Sequence, residues 1–102
     1  LLVVEDVAQA FGSQDEVGDY LGTKSNIGAF SFFPSKTLGG IGDGGMVATD
    51  NKESFDLIVK LKNHGQSKNY EHVMVGHNSR LDSLNAFVLD EKLKIFKLKI
   101  LK

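Results

Sequence analysis

Phe30-Ser31-Phe32-Phe33-Pro34-Ser35-Lys36-Thr37-Leu38-Gly39-Gly40-Ile41-Gly42-Asp43-Gly44-Gly45 is the stretch on which the reading of this chain turns. A largely apolar run carrying the hydroxyl of Ser31 gives way to a single lysine, and residues 39–45 then hold five glycines in seven positions. Glycine at this density marks backbone that takes positive φ or lies against another group, and each one costs entropy on folding. A lone lysine at the mouth of such a loop can ride close to a bound group and lose water. Desolvation disfavours the ammonium and frees the amine for imine chemistry.

Outward from that loop the bulk composition sets bounds. The 102 residues suffice for one small domain with a modest core. Hydrophobic and charged fractions of 41% and 25% are ordinary for a soluble globular sequence. Twelve Lys and Arg against 13 Asp and Glu give a net charge of −1, so no basic field points to nucleic acid as a partner. No apolar run approaches the ~20 residues that span a bilayer, and no secretory signal is present in these residues. With no cysteine there is no disulfide frame and no thiolate metal site, which suits a reducing cytoplasm. The chain opens on Leu1 inside an apolar run and closes on Lys102 inside a helical pattern. Natural boundaries fall in polar linkers, so the sequence reads as an internal piece of a larger protein.

Residues 1–4 form a continuous apolar run, the pattern of a strand covered on both faces in a parallel sheet. Glu5 and Asp6 then sit at its carboxyl end, where open α/β sheets hold their ligands. Residues 12–23 read as loop, broken by Gly18 and Gly22, with room for a short hairpin. Residues 27–33 read as a second strand that delivers residues 31–36 at one end, and residues 46–49 as a third. Asp50 offers an N-cap with Glu53 at capping-box spacing, followed by the apolar face Phe55, Leu57, Ile58, Val59 and Leu61 of a helix ending near Asn63. Gly65 supplies a C-terminal stop. Residues 64–79 read as polar surface loop. From Leu81 onward Ala86, Leu89, Leu93, Phe96 and Ile100 recur at steps of three and four, a narrow helical stripe that needs a partner surface.

Two familiar motifs are set aside. Residues 40–45 satisfy G-x-G-x-x-G in letters, but a dinucleotide fingerprint follows a strand and opens a helix. Here the glycines run into an apolar strand. His64, His72 and His77 stand eight and five residues apart, no two of them one helical turn from each other, so no metal site is expected. Taken singly, Asp6 reads as a turn residue, Ser31 as a small strand residue, Lys36 as solvated, and Asn78 and Arg80 as loop hydrogen-bonders. Their combination changes the odds.

Residues 3–12 (with Glu5-Asp6-Val7-Ala8-Gln9-Ala10 at their centre), residues 27–39, Gly42-Asp43-Gly44-Gly45-Met46, Asn63-His64-Gly65 and Asn78-Ser79-Arg80-Leu81-Asp82 together closely resemble the DegT/DnrJ/EryC1/StrS family. These are pyridoxal-phosphate aminotransferases acting on nucleotide-linked keto sugars. The resemblance covers nearly the whole chain, in the family's order and spacing. It implies an α/β fold, with residues 1–102 part of the large cofactor-binding domain of a fold-type I transferase. That domain has a mostly parallel sheet flanked by helices, and the small C-terminal domain would lie beyond Lys102. It implies pyridoxal 5′-phosphate as cofactor, with Lys36 matching the Schiff-base lysine and Asp6 the carboxylate paired with the pyridinium nitrogen. Gln9 matches the residue near the ring hydroxyl, Ala8 one that packs on a ring face, and Ser31 a phosphate ligand. Asn78 matches the asparagine that reaches the phosphate of the neighbouring subunit's cofactor, so a homodimer with shared sites is implied. Nucleotide-sugar and amino-acid substrates follow, glutamate being the donor by analogy, with amino-sugar and polysaccharide biosynthesis as the setting. Neither nucleic acid nor membrane is an expected partner. The presence of the lysine disfavours the related sugar dehydrases, which carry histidine there. The rival readings are a non-catalytic truncated remnant that keeps the motifs, and a nucleotide-binding module built on the glycine loop.

Overall fold

The computed structural model describes residues 1–100, and the side chains of residues 1–96. The chain divides into two compact units, one formed by residues 1–48 with the segment from Leu81 onward, the other by residues 49–80.

In the first unit β1 (Val4–Asp6), β2 (Ile27–Ser31) and β3 (Gly45–Ala48) form one sheet in that order. β1 runs parallel to β2, with Val4 opposite Ile27 and Asp6 opposite Ala29. β2 runs antiparallel to β3, with Ser31 opposite Gly45 and Gly28 opposite Ala48. A parallel pair needs a connection of a dozen or more residues. Residues 7–26 supply it without a helix, as a loop drawn in by a single bridge between Gln14 and Tyr20. Asp15 stiffens this loop by accepting from the backbone N–H of Val17 and Asp19, each at 3.0 Å, and pairs with Lys24. Glu5 closes its far end, accepting from the N–H groups of Gly22 at 2.6 Å and Ser25 at 2.8 Å. These bonds, the Gly22 N–H foremost, hold the Glu5 carboxyl below the usual range.

The expected first strand begins three residues late, and Leu1, Leu2, Val3 and Val4 are exposed rather than covered. An apolar run is buried only where a second layer meets it, and no described residue covers this one.

α2 (Ser83–Ile100) returns to the same unit. Its stripe finds a partner inside the chain: Leu89 is buried with Phe32 and Leu38, and Phe11, Leu81 and Leu93 pack against that cluster. Phe11 ties the layers together, its ring 6.0 Å from those of Phe30 and Phe32 and 5.7 Å from that of Phe96. Ile100, the last member of the expected stripe, lies outside the described side chains.

The second unit holds α1 (Lys52–Leu61) and a hairpin of β4 (Gln66–Lys68) with β5 (Glu71–His72). The helix is capped one residue later than expected. Asn51, with extended φ and ψ, accepts from the Ser54 N–H at 2.8 Å, a role that Asn and Asp fill equally well. The helix ends at Leu61 with Lys62 as its C-cap, and the positive-φ pair His64 and Gly65 follows, the Gly65 N–H donating back to Lys60 O at 2.8 Å. The hairpin replaces the expected loop. Its turn places Tyr70 at φ 65, a position where hairpins usually carry glycine or asparagine, so the usual turn signal was missing. Among the described residues no helix is long and apolar enough to cross a membrane.

Candidate active site

Partners in register on neighbouring strands point to the same face, and alternate residues along a strand share a face. Asp6 stands opposite Ala29, and Ser31 is two residues beyond Ala29. The carboxylate and the hydroxyl therefore project from one face at the shared carboxyl end of β1 and β2. Glu5, one residue earlier, faces the other way, into its loop. The chain leaves β1 without drifting from the sheet, because the buried Val7 donates to Ala29 O at 2.8 Å. Asp6 Oδ1 accepts from the Ala8 N–H at 3.0 Å, an Asx-type turn that fixes the carboxylate and sets Ala8 and Gln9 immediately beyond the strand end. Gln9 is exposed and Ala8 half-buried.

Lys36 arrives on the turn that follows β2. Phe32 pins the neck of the loop through both backbone groups: its N–H donates to Gly44 O and its carbonyl accepts from Gly40 N–H, each at 2.8 Å. Lys36 N–H donates to Phe33 O at 2.9 Å. With Phe32 and Leu38 both buried in the core, the segment between them is anchored at each end and Lys36 sits half-buried between. Ser31 Oγ accepts from Phe33 N–H at 3.3 Å. Asp6 and Ser31 thus share one face at the carboxyl ends of β1 and β2, with Ala8 and Gln9 following Asp6 along the chain and Lys36 on the turn that follows Ser31.

Four of the five glycines that follow the lysine, all but Gly42, answer to proximity rather than to φ. None of residues 39–45 has positive φ; the positive-φ glycines are Gly12, Gly18, Gly22 and Gly65. A Cβ on Gly40 would run into Asn85 Oδ1, and one on Gly44 would stand 2.8 Å from Leu81 Cδ1. Asn85 escaped sequence reasoning, though a signal existed. Leu81, just before α2, and Leu89 and Leu93 on it keep a four-residue spacing, and Asn85 interrupts them with an amide that is 5% exposed. Its Oδ1 accepts from Ile41 N–H at 3.0 Å, and its Nδ2 donates to Asp43 O at 3.1 Å and Gly42 O at 3.4 Å. Lys92, two turns on, donates from Nζ to Gly39 O at 2.6 Å.

Asn78 belongs to the other unit. It bridges Asn63 through the backbone and its Oδ1 accepts from Arg80 Nε at 3.1 Å, exposed at the surface. A cleft there is lined by Asn63, His64, Gln66, Asn69, Tyr70 and Arg80, and both non-glycine residues at positive φ line it. A second cleft, in the first unit, is lined by Val3, Glu5, Lys24, Ser25 and Asn26. Neither is lined by Asp6 or Lys36. The ring of His72 is engaged within its own unit, Nδ1 donating to His64 O at 2.9 Å, which leaves Nε2 to accept from Gln66. Among the described residues no group of three or more His, Asp or Glu is placed to hold a metal ion.

The chain is similar to known proteins along most of its length. A UDP-N-acetyl-3-dehydro-alpha-D-glucosamine 3-aminotransferase of Acidithiobacillus ferrooxidans is 49% identical over 89 residues, 87% of this chain and 24% of that protein. A UDP-2-acetamido-2-deoxy-3-oxo-D-glucuronate aminotransferase of Pseudomonas aeruginosa is 46% identical over 94 residues, 92% of this chain and 26% of that protein. Among solved structures, S. venezuelae DesV in complex with a ketimine intermediate superposes with a TM-score of 0.89 at 42% identity, over 95% of this chain and 26% of that one. The chain spans about a quarter of the length of the relatives it matches. The family model for these proteins matches residues 1–101, end to end through the strand termini and the glycine loop just described, and on that ground the chain belongs to the DegT/DnrJ/EryC1/StrS aminotransferase family.

Proposed function

We propose that the complete protein carrying this chain is a pyridoxal-phosphate-dependent aminotransferase. It takes an amino group from an amino acid, glutamate by family analogy, and gives it to the keto group of a nucleotide-linked sugar, in amino-sugar and surface-polysaccharide biosynthesis. One observation carries the reading: Asp6 and Ser31 share a face at the carboxyl end of β1 and β2, and Lys36 stands on a pinned turn just beyond. The donor set fits pyridoxal 5′-phosphate. It offers a carboxylate for a protonated ring nitrogen, a hydroxyl for a phosphate oxygen and a primary amine for an aldehyde carbon. The names of relatives in this family support the substrate class, since they carry UDP-, dTDP- and GDP-linked sugars.

When bound, the cofactor supplies a ring that accepts the electron pair left at a carbon losing its proton. The rest falls to the chain. Asp6, its carboxylate already oriented by Ala8 N–H, holds the proton on the ring nitrogen by charge pairing. Ser31 donates its hydroxyl to the phosphate, Gln9 hydrogen-bonds near the ring hydroxyl, and Ala8 packs on a ring face. The Lys36 amine takes the proton from the amino-acid carbon as general base and returns it to a neighbouring carbon as general acid. Asn78 serves the phosphate of the neighbouring subunit's site in a cytoplasmic homodimer.

In the complete protein, Lys36→Ala is expected to lower turnover by at least about 10²-fold, the low end of what a positioned acid–base supplies. It also removes the absorption band of the lysine-linked cofactor. Normal turnover with that band intact rejects the assignment.

A further inference from the structure

The glycine loop is held from one side by two residues of α2 that the functional reading does not use. We infer that Asn85 and Lys92 are positioning residues for Lys36, acting through the backbone of residues 39–43. This inference rests on the reading of Lys36 as the reacting amine.

The argument begins with the cost of Asn85. It lies 5% exposed on a stripe whose neighbours at four-residue spacing are leucines, so an apolar residue is the default there. A buried amide is tolerated only when its donor and acceptor are both met. Here both ends are met by one target, the backbone of residues 41–43. Lys92 adds a charged donor to the carbonyl at the other end of the same loop, Gly39 O. Gly40 sits between these two grips and donates to Phe32 O, closing residues 32–40 into a ring. Lys36 is at the middle of that ring, tied to it by its own N–H bond to Phe33 O. Lys36's turn is held at its ends by the buried Phe32 and Leu38 and closed at its base by the Gly40 N–H to Phe32 O bond. The base in turn is set by Asn85 and Lys92. Gly40 is the residue that permits the grip, because any Cβ there would collide with Asn85 Oδ1.

The test uses the complete protein with Asn85→Leu, Lys92→Met and Lys92→Arg, and reads two independent quantities. The first is amide hydrogen exchange in the cofactor-free protein. Both Asn85→Leu and Lys92→Met are expected to speed exchange at Ile41 or Gly40 by about fivefold or more, and to speed exchange at Lys36 with it. Lys92→Arg keeps a donor for Gly39 O and is expected to match the parent. The second is the pH profile of the loaded enzyme's absorption band and of kcat. Here the two disruptive variants are expected to shift the titration by about half a unit or more and to lower kcat about tenfold, with KM for the amino donor within about twofold. Faster exchange in the loop with Lys36 unchanged overturns the inference, as does an unchanged pH profile in folded variants. Lys92 is at the surface, so its variants keep the question open to decision even where Asn85→Leu fails to fold. Failure of the functional reading shows separately, as turnover that survives Lys36→Ala while the exchange coupling persists.

Discussion

Gly40 and Gly42 lie two residues apart in one loop and answer to different constraints. A methyl group on Gly40 would occupy the space of Asn85 Oδ1, whereas within 4 Å of a Cβ on Gly42 there is nothing. Neither residue has positive φ, so backbone strain does not enter. In the complete protein Gly40→Ala is expected to lose about 1–3 kcal/mol, an overpacking cost, and Gly42→Ala to be neutral or to gain up to about 1 kcal/mol through the unfolded state. Denaturant titration of the pair decides this. Equal effects would mean that proximity is not what the glycines serve. Glu5 makes a second claim at this scale. Its carboxyl is held below the usual range by the Gly22 N–H first and then by the hydroxyl and N–H of Ser25, so the folded state binds that proton less readily than the unfolded chain. The stabilisation is therefore present above the ordinary glutamate pKa and lost as pH falls through the lowered value. Glu5→Gln should flatten the acid limb of the stability profile, read from thermal midpoints between neutral pH and pH 3. A limb of undiminished slope would assign the acid sensitivity to another carboxylate.

At the scale of elements, what the chain discloses in advance follows from what each signal measures. Apolar patterning reports burial, and it located β2, β3, α1 and α2 to within a few residues. As a report of burial it failed at residues 1–4, where the apolar run is exposed and the strand begins only at Val4, and on α1, which forms as expected but buries no residue. The family resemblance singled out Asp6, Ser31 and Lys36; the fold sets the first two on one face at the carboxyl ends of β1 and β2 and Lys36 on the turn after β2. It did not name Asn85: the amide's interruption of the leucine spacing is legible, but its partners are backbone atoms more than forty residues away and are not. The β4–β5 hairpin was hidden for another reason: its turn uses Tyr70 in the left-handed region. That conformation costs a non-glycine residue about 1–2 kcal/mol. The residue is 91% exposed, so burial returns little of it. Tyr70→Gly is accordingly expected to protect the hairpin, slowing amide exchange at Val73, whose N–H bonds Gly65 O at 2.9 Å. Faster exchange there would show that the tyrosine ring holds the turn through contacts stronger than the strain.

For the molecule as a whole the balance between buried and exposed apolar surface is the governing quantity. Among the described residues the buried hydrophobic side chains are Val7, Phe32, Leu38 and Leu89, and none is less than 2% exposed. All four belong to the first unit. In the second, α1 buries no residue, and Phe55, Leu57 and Val59 stand open on it. A domain of about this size holds its fold by only 5–15 kcal/mol against a conformational entropy of order 100 kcal/mol, so a core this thin leaves little margin. Val4 to Asp6 also form a sheet edge in this chain, with Val4 exposed beside unpaired backbone groups, the kind of edge that recruits other chains. Residues 1–102 expressed alone are therefore expected to melt broadly, to bind a hydrophobic dye such as ANS, and to self-associate as concentration rises. Calorimetry with sedimentation velocity at two concentrations reads this directly. A sharp, concentration-independent transition of a monomer would mean that the four buried residues and the Phe11 ring contacts carry far more stability than their area supplies. In that case titrating the same chain with pyridoxal 5′-phosphate becomes informative about catalysis. Uptake lost in Lys36→Ala would assign the site to this chain by itself, and no uptake would assign its completion to surfaces like those the relatives build from the rest of their length.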